Sequence, residues 1–106
     1  MYNIVYTIFF MITLKNPVEF EWNEGNKDKN RKKHGVDILE IEEIFLSENK
    51  RIAKDFLHSE KEDRYIIIGK TRKNRLLFVV FTLRREKVRA ISARDLNKKK
   101  EHKLAK

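Results

Sequence analysis

Apolar residues crowd into the run YNIVYTIFFMITL at residues 2–14. It is β-branched and aromatic, which suits a strand. At 13 residues it is shorter than the roughly 20 that a membrane-spanning helix needs. No basic stretch precedes it and no small-residue cleavage pattern follows it, so it is a poor signal peptide. Pro17 separates this extension, residues 1–17, from the rest. Val18-Glu19-Phe20-Glu21-Trp22 then alternates apolar and acidic positions, the period of a half-buried strand. Asn23 is placed to cap a short polar helix over about 24–33, with the cations of Asn30-Arg31-Lys32-Lys33 in its last turn and Gly35 just beyond as a left-handed stop.

A second helix is predicted from Asp37. Asp37 and Glu40 have the spacing of a capping box. Ile38, Ile41, Ile44 and Phe45 share one helical face, and Leu39 and Leu46 are expected to widen it. The helix should end near Leu46 or Ser47, and it is the better amphipath, so it should be the one packed on a sheet. A weak strand is expected at 51–56, then a polar loop over 57–63. Three strands follow at 64–70, 75–83 and 87–93. Their linkers are short enough for consecutive antiparallel hairpins. RLLFVVFTL at 75–83 is nearly all apolar, which places it centrally. In the last strand Val88 and Ala90, or Ile91 after a bulge, should face the core. Gly69 has no glycine-rich surroundings, so it reads as a bulge or a close-packing position. Residues 95–106 are expected as a basic helix capped by Asp95 or Asn97. The fold class is therefore α+β: an antiparallel β-sheet with two N-terminal helices on one face and a C-terminal helix. The other face is expected to be free for a ligand or partner.

Charge changes the picture. The 106 residues hold 25 Lys and Arg against 16 Asp and Glu, a formal net charge of +9. Residues 65–106 hold 14 basic and 3 acidic side chains, while the first 64 residues are nearly balanced. Such a field favours polyanions, nucleic acid first. Cysteine is absent, which excludes disulfide scaffolds, thiol nucleophiles and thiolate metal sites. His, Asp and Glu are too scattered to suggest a metal site or any cofactor.

Phe20-Glu21-Trp22-Asn23, Asn30, Lys33-His34-Gly35-Val36, Arg64-Tyr65-Ile66-Ile67-Ile68-Gly69 and Ile91-Ser92-Ala93-Arg94 occur in this order. In that set the chain resembles the BrnT toxins of type II toxin–antitoxin systems, over about residues 18–106. The resemblance implies a RelE/ParE-like fold and a ribonuclease that halts translation. It also implies a BrnA-like antitoxin partner with a ribbon-helix-helix module, through which the complex would bind operator DNA. A cytoplasmic location goes with that role.

Metal-independent RNA cleavage needs a group to activate the 2′-hydroxyl, cations on the phosphorane-like transition state, and help for the leaving oxygen. His34 can exchange a proton near neutral pH. Its structural alternative is a dipole partner at a helix end. Arg64 and Arg94 sit at strand ends, and guanidinium groups bind phosphate bidentately. His34, Arg64 and Arg94 are thus the candidate catalytic residues, and Lys33 and Arg89 the candidate substrate-binding residues. The alternative for each cation is a solvated charge or an exposed ion pair. Trp22 is more simply a core aromatic than a base-stacking platform. His58 and His102 read as surface residues. Two other functions fit the charge: a nucleic-acid-binding module without catalysis, and a ParE-like gyrase inhibitor.

Overall fold

A computed structural model describes residues 14, 17–55 and 61–97. Its elements are α1 (Lys29–His34), α2 (Ile38–Leu46), β1 (Arg51–Lys54), β2 (Arg64–Lys70), β3 (Leu76–Arg84) and β4 (Lys87–Asp95). The four strands form one antiparallel sheet in the order β1-β2-β3-β4. The strand expected at 2–14 (Leu14 apart), most of the 57–63 loop, His58, His102 and the C-terminal basic segment beyond residue 97 lie outside the described residues.

The helices start and stop where local chemistry requires. Asp37 and Glu40 close the capping box at the head of α2, satisfying amide groups that have no partner within the helix. Gly35 ends α1 with φ 65° and ψ 32°, a left-handed conformation that costs a side-chain-bearing residue energy. The first helix is shorter than its polar pattern suggests. Asn23 instead closes a turn, its Oδ1 accepting from the amides of Gly25 and Asn26, and helical geometry begins only at Lys29.

The main core lies between α2 and one face of the sheet. Val36, Ile41, Ile44 and Phe45 meet Ile67, Leu77, Val79, Phe81, Val88, Ala90 and Ala93. Edge-to-face contacts run from Phe20 through Phe45 to Phe81, at 5.4 and 5.0 Å between centroids, a geometry favoured by the ring quadrupoles. Gly69 lets α2 approach closely: a Cβ there would meet Ile44 Cβ at 3.1 Å. The apolar face of α2 is narrower than its sequence suggests. Leu39 and Leu46 are 66% and 68% exposed, so they lie off the core instead of widening it.

Two further expectations are corrected. Asp95 is the last residue of β4, so no helix starts there; its partner Arg75 keeps the chain in the sheet. The face away from the helices is also not bare at its centre. Ile66, Ile68, Phe78 and Leu96 form a second buried cluster there, and the Leu96 amide donates to Leu76 O at 3.0 Å.

The outer edge of β4 is closed by the N-terminal part of the domain. Phe20 makes a parallel bridge to Val88. Farther along, Asn26 Nδ2 donates to Ala90 O at 3.3 Å, Lys29 Nζ to Ile91 O at 3.4 Å, and Ala93 N donates to Asn30 Oδ1 at 2.9 Å. Polar side chains of the α1 region thus take up edge groups that would otherwise offer pairing to another chain. The pairing jumps from Val80–Ser92 to Phe81–Ala90, which leaves Ile91 as the bulged residue. Asn30→Ala would leave the buried Ala93 amide without an acceptor. A loss of about 1–3 kcal/mol follows, read as a lower urea midpoint with unchanged slope.

Candidate functional site

Alternation along β2, β3 and β4 fixes which cations share a surface. Tyr65, Ile67, Phe81, Val88 and Ala90 face α2 in the main core. Their neighbours Arg64, Thr82 and Arg89 therefore face the other way. These three are successive Cα partners across β2, β3 and β4, so two guanidinium groups flank one hydroxyl in a single cross-strand row. The hydroxyl is anchored: Thr82 Oγ1 donates to Asp63 O at 2.7 Å. Arg89 Nη1 is buried and has no hydrogen-bond acceptor. A buried donor without a partner costs free energy, and an anion would supply the acceptor.

Arg94 is on the same face, four residues along the strands from that row. Its guanidinium carbon lies 4.3 Å from the centroid of the Phe78 ring, and its Nη1 donates to Asp95 O at 3.1 Å. At 3.4 Å per residue the two positions are about 14 Å apart along the strands. His34 and Lys33 close α1 at the Arg94 end, Lys33 exposed and His34 half-buried. The five candidates thus form two groups. Arg64 and Arg89 hold one end of the second face and Arg94 stands at its other end, while His34 and Lys33 close α1, which is tied through Arg75 to the last residue of β4.

The second group is organised by Arg75. Its Nε donates to Asp95 Oδ1 at 2.6 Å and its Nη2 to Asp95 Oδ2 at 3.1 Å. Nη2 also donates to His34 O at 3.1 Å, and Nη1 to Gly35 O at 2.8 Å and to both Glu40 oxygens at 3.2 and 3.3 Å. All five N–H groups are engaged, which leaves none for a substrate phosphate. Arg75 is therefore a fastener between the α1–α2 corner and the sheet. The hydrogen bonds from Arg75, then its charge, hold the Asp95 carboxyl below the ordinary carboxylate range, with His34 adding a smaller pull. Asp95 in turn pushes the Arg75 guanidinium up.

Two residues escaped the sequence reading. Arg75 looked like the first residue of an apolar strand, and nothing local marks its partners, which lie 20 to 41 positions away. Glu21 looked like a solvated position of an alternating strand. In the fold its amide donates to Val88 O at 2.8 Å, so it lies alongside Arg89, and its Oε2 is buried without a donor. The alternation Phe20-Glu21-Trp22 was the available signal, because it already put Glu21 opposite the core. Trp22 packs against the main cluster and donates from Nε1 to Glu42 Oε2 at 2.8 Å.

Among the described residues no group of three His, Asp or Glu side chains is placed to hold a metal. No described helix is long and apolar enough to cross a membrane.

Removing the fastener has a measurable cost. Arg75→Ala should lose about 1–3 kcal/mol, less than a fully buried charge network because Asp95 is well exposed. Arg75→Lys should recover little of it, since an ammonium cannot reproduce the planar fork. The pH dependence follows from the lowered Asp95 carboxyl. The unfolded chain binds that proton more readily, so the Arg75–Asp95 contribution is complete above about pH 4 and is lost as pH falls through the lowered folded value. Urea midpoints measured from pH 7 down to 2 should show this, and Asp95→Asn should flatten that part of the profile.

No curated protein matches the chain. A family model described as ribonuclease toxin, BrnT, of type II toxin-antitoxin system matches residues 22–100. That span runs from Trp22 through both groups of cations and covers most of the sequence. The chain therefore belongs to the BrnT family of type II toxin–antitoxin ribonuclease toxins.

Proposed function

We propose that this protein is the toxin of a type II pair and a metal-independent endoribonuclease that inhibits translation. The observation that carries the reading is, in a chain of this family, the set of cations made by Arg64, Arg89 and Arg94 on the face away from α2 and His34 and Lys33 at the end of α1. RNA cleavage needs a place where the scissile phosphate meets a proton-transfer group, and further contacts that hold the strand in register.

The end of β4 supplies the first. His34 transfers the proton, and Arg94, braced on Phe78, stabilises charge on the phosphate. Arg75 cancels the Asp95 carboxylate that would otherwise repel the substrate there. The Arg64–Thr82–Arg89 row supplies the second requirement. It holds a phosphate farther along the strand, with Arg89 Nη1 gaining the acceptor it lacks. Lys33, exposed at the end of α1, adds to the field. On this reading Arg64 acts by binding more than by chemistry, because the row is remote from His34. The partner is a BrnA-like ribbon-helix-helix antitoxin, which brings the complex to operator DNA, and the architecture is a RelE/ParE-like one in the cytoplasm.

Purified, folded, antitoxin-free protein should cleave RNA in EDTA. His34→Ala should lower kcat by about 10²–10⁴-fold, and Arg94→Ala by about 10²–10³-fold. Arg64→Ala and Arg89→Ala should chiefly raise KM. RNA left intact by the folded wild-type protein would overturn the assignment. So would undiminished kcat in both His34→Ala and Arg94→Ala.

A further inference from the structure

At the β3–β4 hairpin a cavity of about 530 Å³ is lined by Phe20, Glu21, Trp22, Arg84, Arg85 and Lys87. Neither group of cations described above includes Arg84, Arg85 or Lys87. The volume lies within the usual range for small-ligand pockets. One wall is aromatic: the Phe20 and Trp22 rings are stacked, 11° from parallel with centroids 6.3 Å apart. The bond from Trp22 to Glu42 fixes the indole in place, so the wall is formed in advance.

The other wall is cationic. Arg84 reaches Glu62 only at 3.9 Å and is half exposed. Arg85 and Lys87 have no ion pair among the described residues. The turn that presents them is unusual. Arg85 and Glu86 have φ of 51° and 66°, the left-handed pair of a two-residue hairpin turn that favours Asn-Gly. Strained backbone carrying charged side chains points to a use for those side chains.

We infer that this cavity is a subsite for one nucleotide of single-stranded RNA, its base on the Phe20–Trp22 wall and its phosphates on Arg84, Arg85 and Lys87. The inference rests on the RNA-cleaving reading for its class of ligand. Stacking platforms beside cations are how single strands are gripped without sequence-specific readout. The aromatic wall separates this ligand from an acidic protein segment, because the parallel Phe20 and Trp22 rings offer a base a flat stacking surface and offer aspartate or glutamate side chains none. The subsite would lengthen the RNA footprint beyond the Arg64–Arg89 row, past the hairpin end of the sheet.

Trp22 is the single tryptophan of the chain, so its fluorescence reports on this cavity directly. The full-length protein is titrated with an uncleavable 2′-deoxy oligonucleotide. Saturable quenching that weakens with salt is expected. The double variant Arg85→Ala, Lys87→Ala should bind about 5–30-fold more weakly, with a salt slope smaller by about 1.4. Arg85→Asn with Glu86→Gly should fold more stably, because it relieves the turn, yet bind more weakly. Quenching reads binding and product formation reads cleavage, so a failed cleavage assay and a failed subsite remain distinguishable. No change in Trp22 emission, or wild-type affinity in both turn variants, overturns the subsite. Equal quenching by polyglutamate would assign the cavity to an acidic protein segment instead.

Discussion

The Arg75 guanidinium is the contact on which the geometry of the domain's β4 end depends. It ties together three parts of the chain: the end of α1, the head of α2 and the last residue of β4. A guanidinium can do this because its five donors are rigid and planar. Two backbone carbonyls from the α1–α2 corner and two carboxylates occupy them all. The carboxylates neutralise the charge, and the carbonyls fix where His34 stands. Without this fastener the left-handed turn at Gly35 would still form, but its placement against the sheet would rest on the apolar core and on the bonds from Asn26, Lys29 and Asn30 to β4.

A second constraint acts at the opposite margin of the same strand. β4 is an edge strand, and its outer N–H and C=O groups need partners. The extended segment at Phe20 covers the start, and Asn26, Lys29 and Asn30 cover the rest. This explains why a helix as short and polar as α1 is held in the fold. It buries no apolar side chain; Asn30 is its one buried residue. Its contribution is polar satisfaction of an edge, and that pulls His34 and Lys33 to the end of β4.

Both constraints leave the face away from the helices organised by alternation alone. The centre of that face is buried and apolar, and the charge is pushed to its two ends. A single strand of nucleic acid is a natural match for spaced cations, since its phosphates repeat along a flexible chain. A compact ligand would need the cations in one place. The cationic hairpin at Arg84–Lys87 continues the same trend around the end of the sheet.

Much of the fold was legible in the sequence. The strand order, the central place of the 76–84 strand, the capping box at Asp37 and the left-handed stop at Gly35 all follow from local rules of period, capping and turn length. Short linkers force neighbours to pair, so topology here is nearly a local property. Tertiary structure alone decided which side chains keep company. Leu39 and Leu46 obey the helical period yet lie outside the core, because the sheet under α2 covers only part of its circumference. Arg64 and Arg94 both read as strand-end cations, but register put them at opposite ends of one face. Arg75 and Glu21 carry no local mark, since their roles come from groups brought near by strand pairing across many residues. A sequence pattern specifies the direction in which a side chain leaves the backbone; the packing of separate elements decides what it meets.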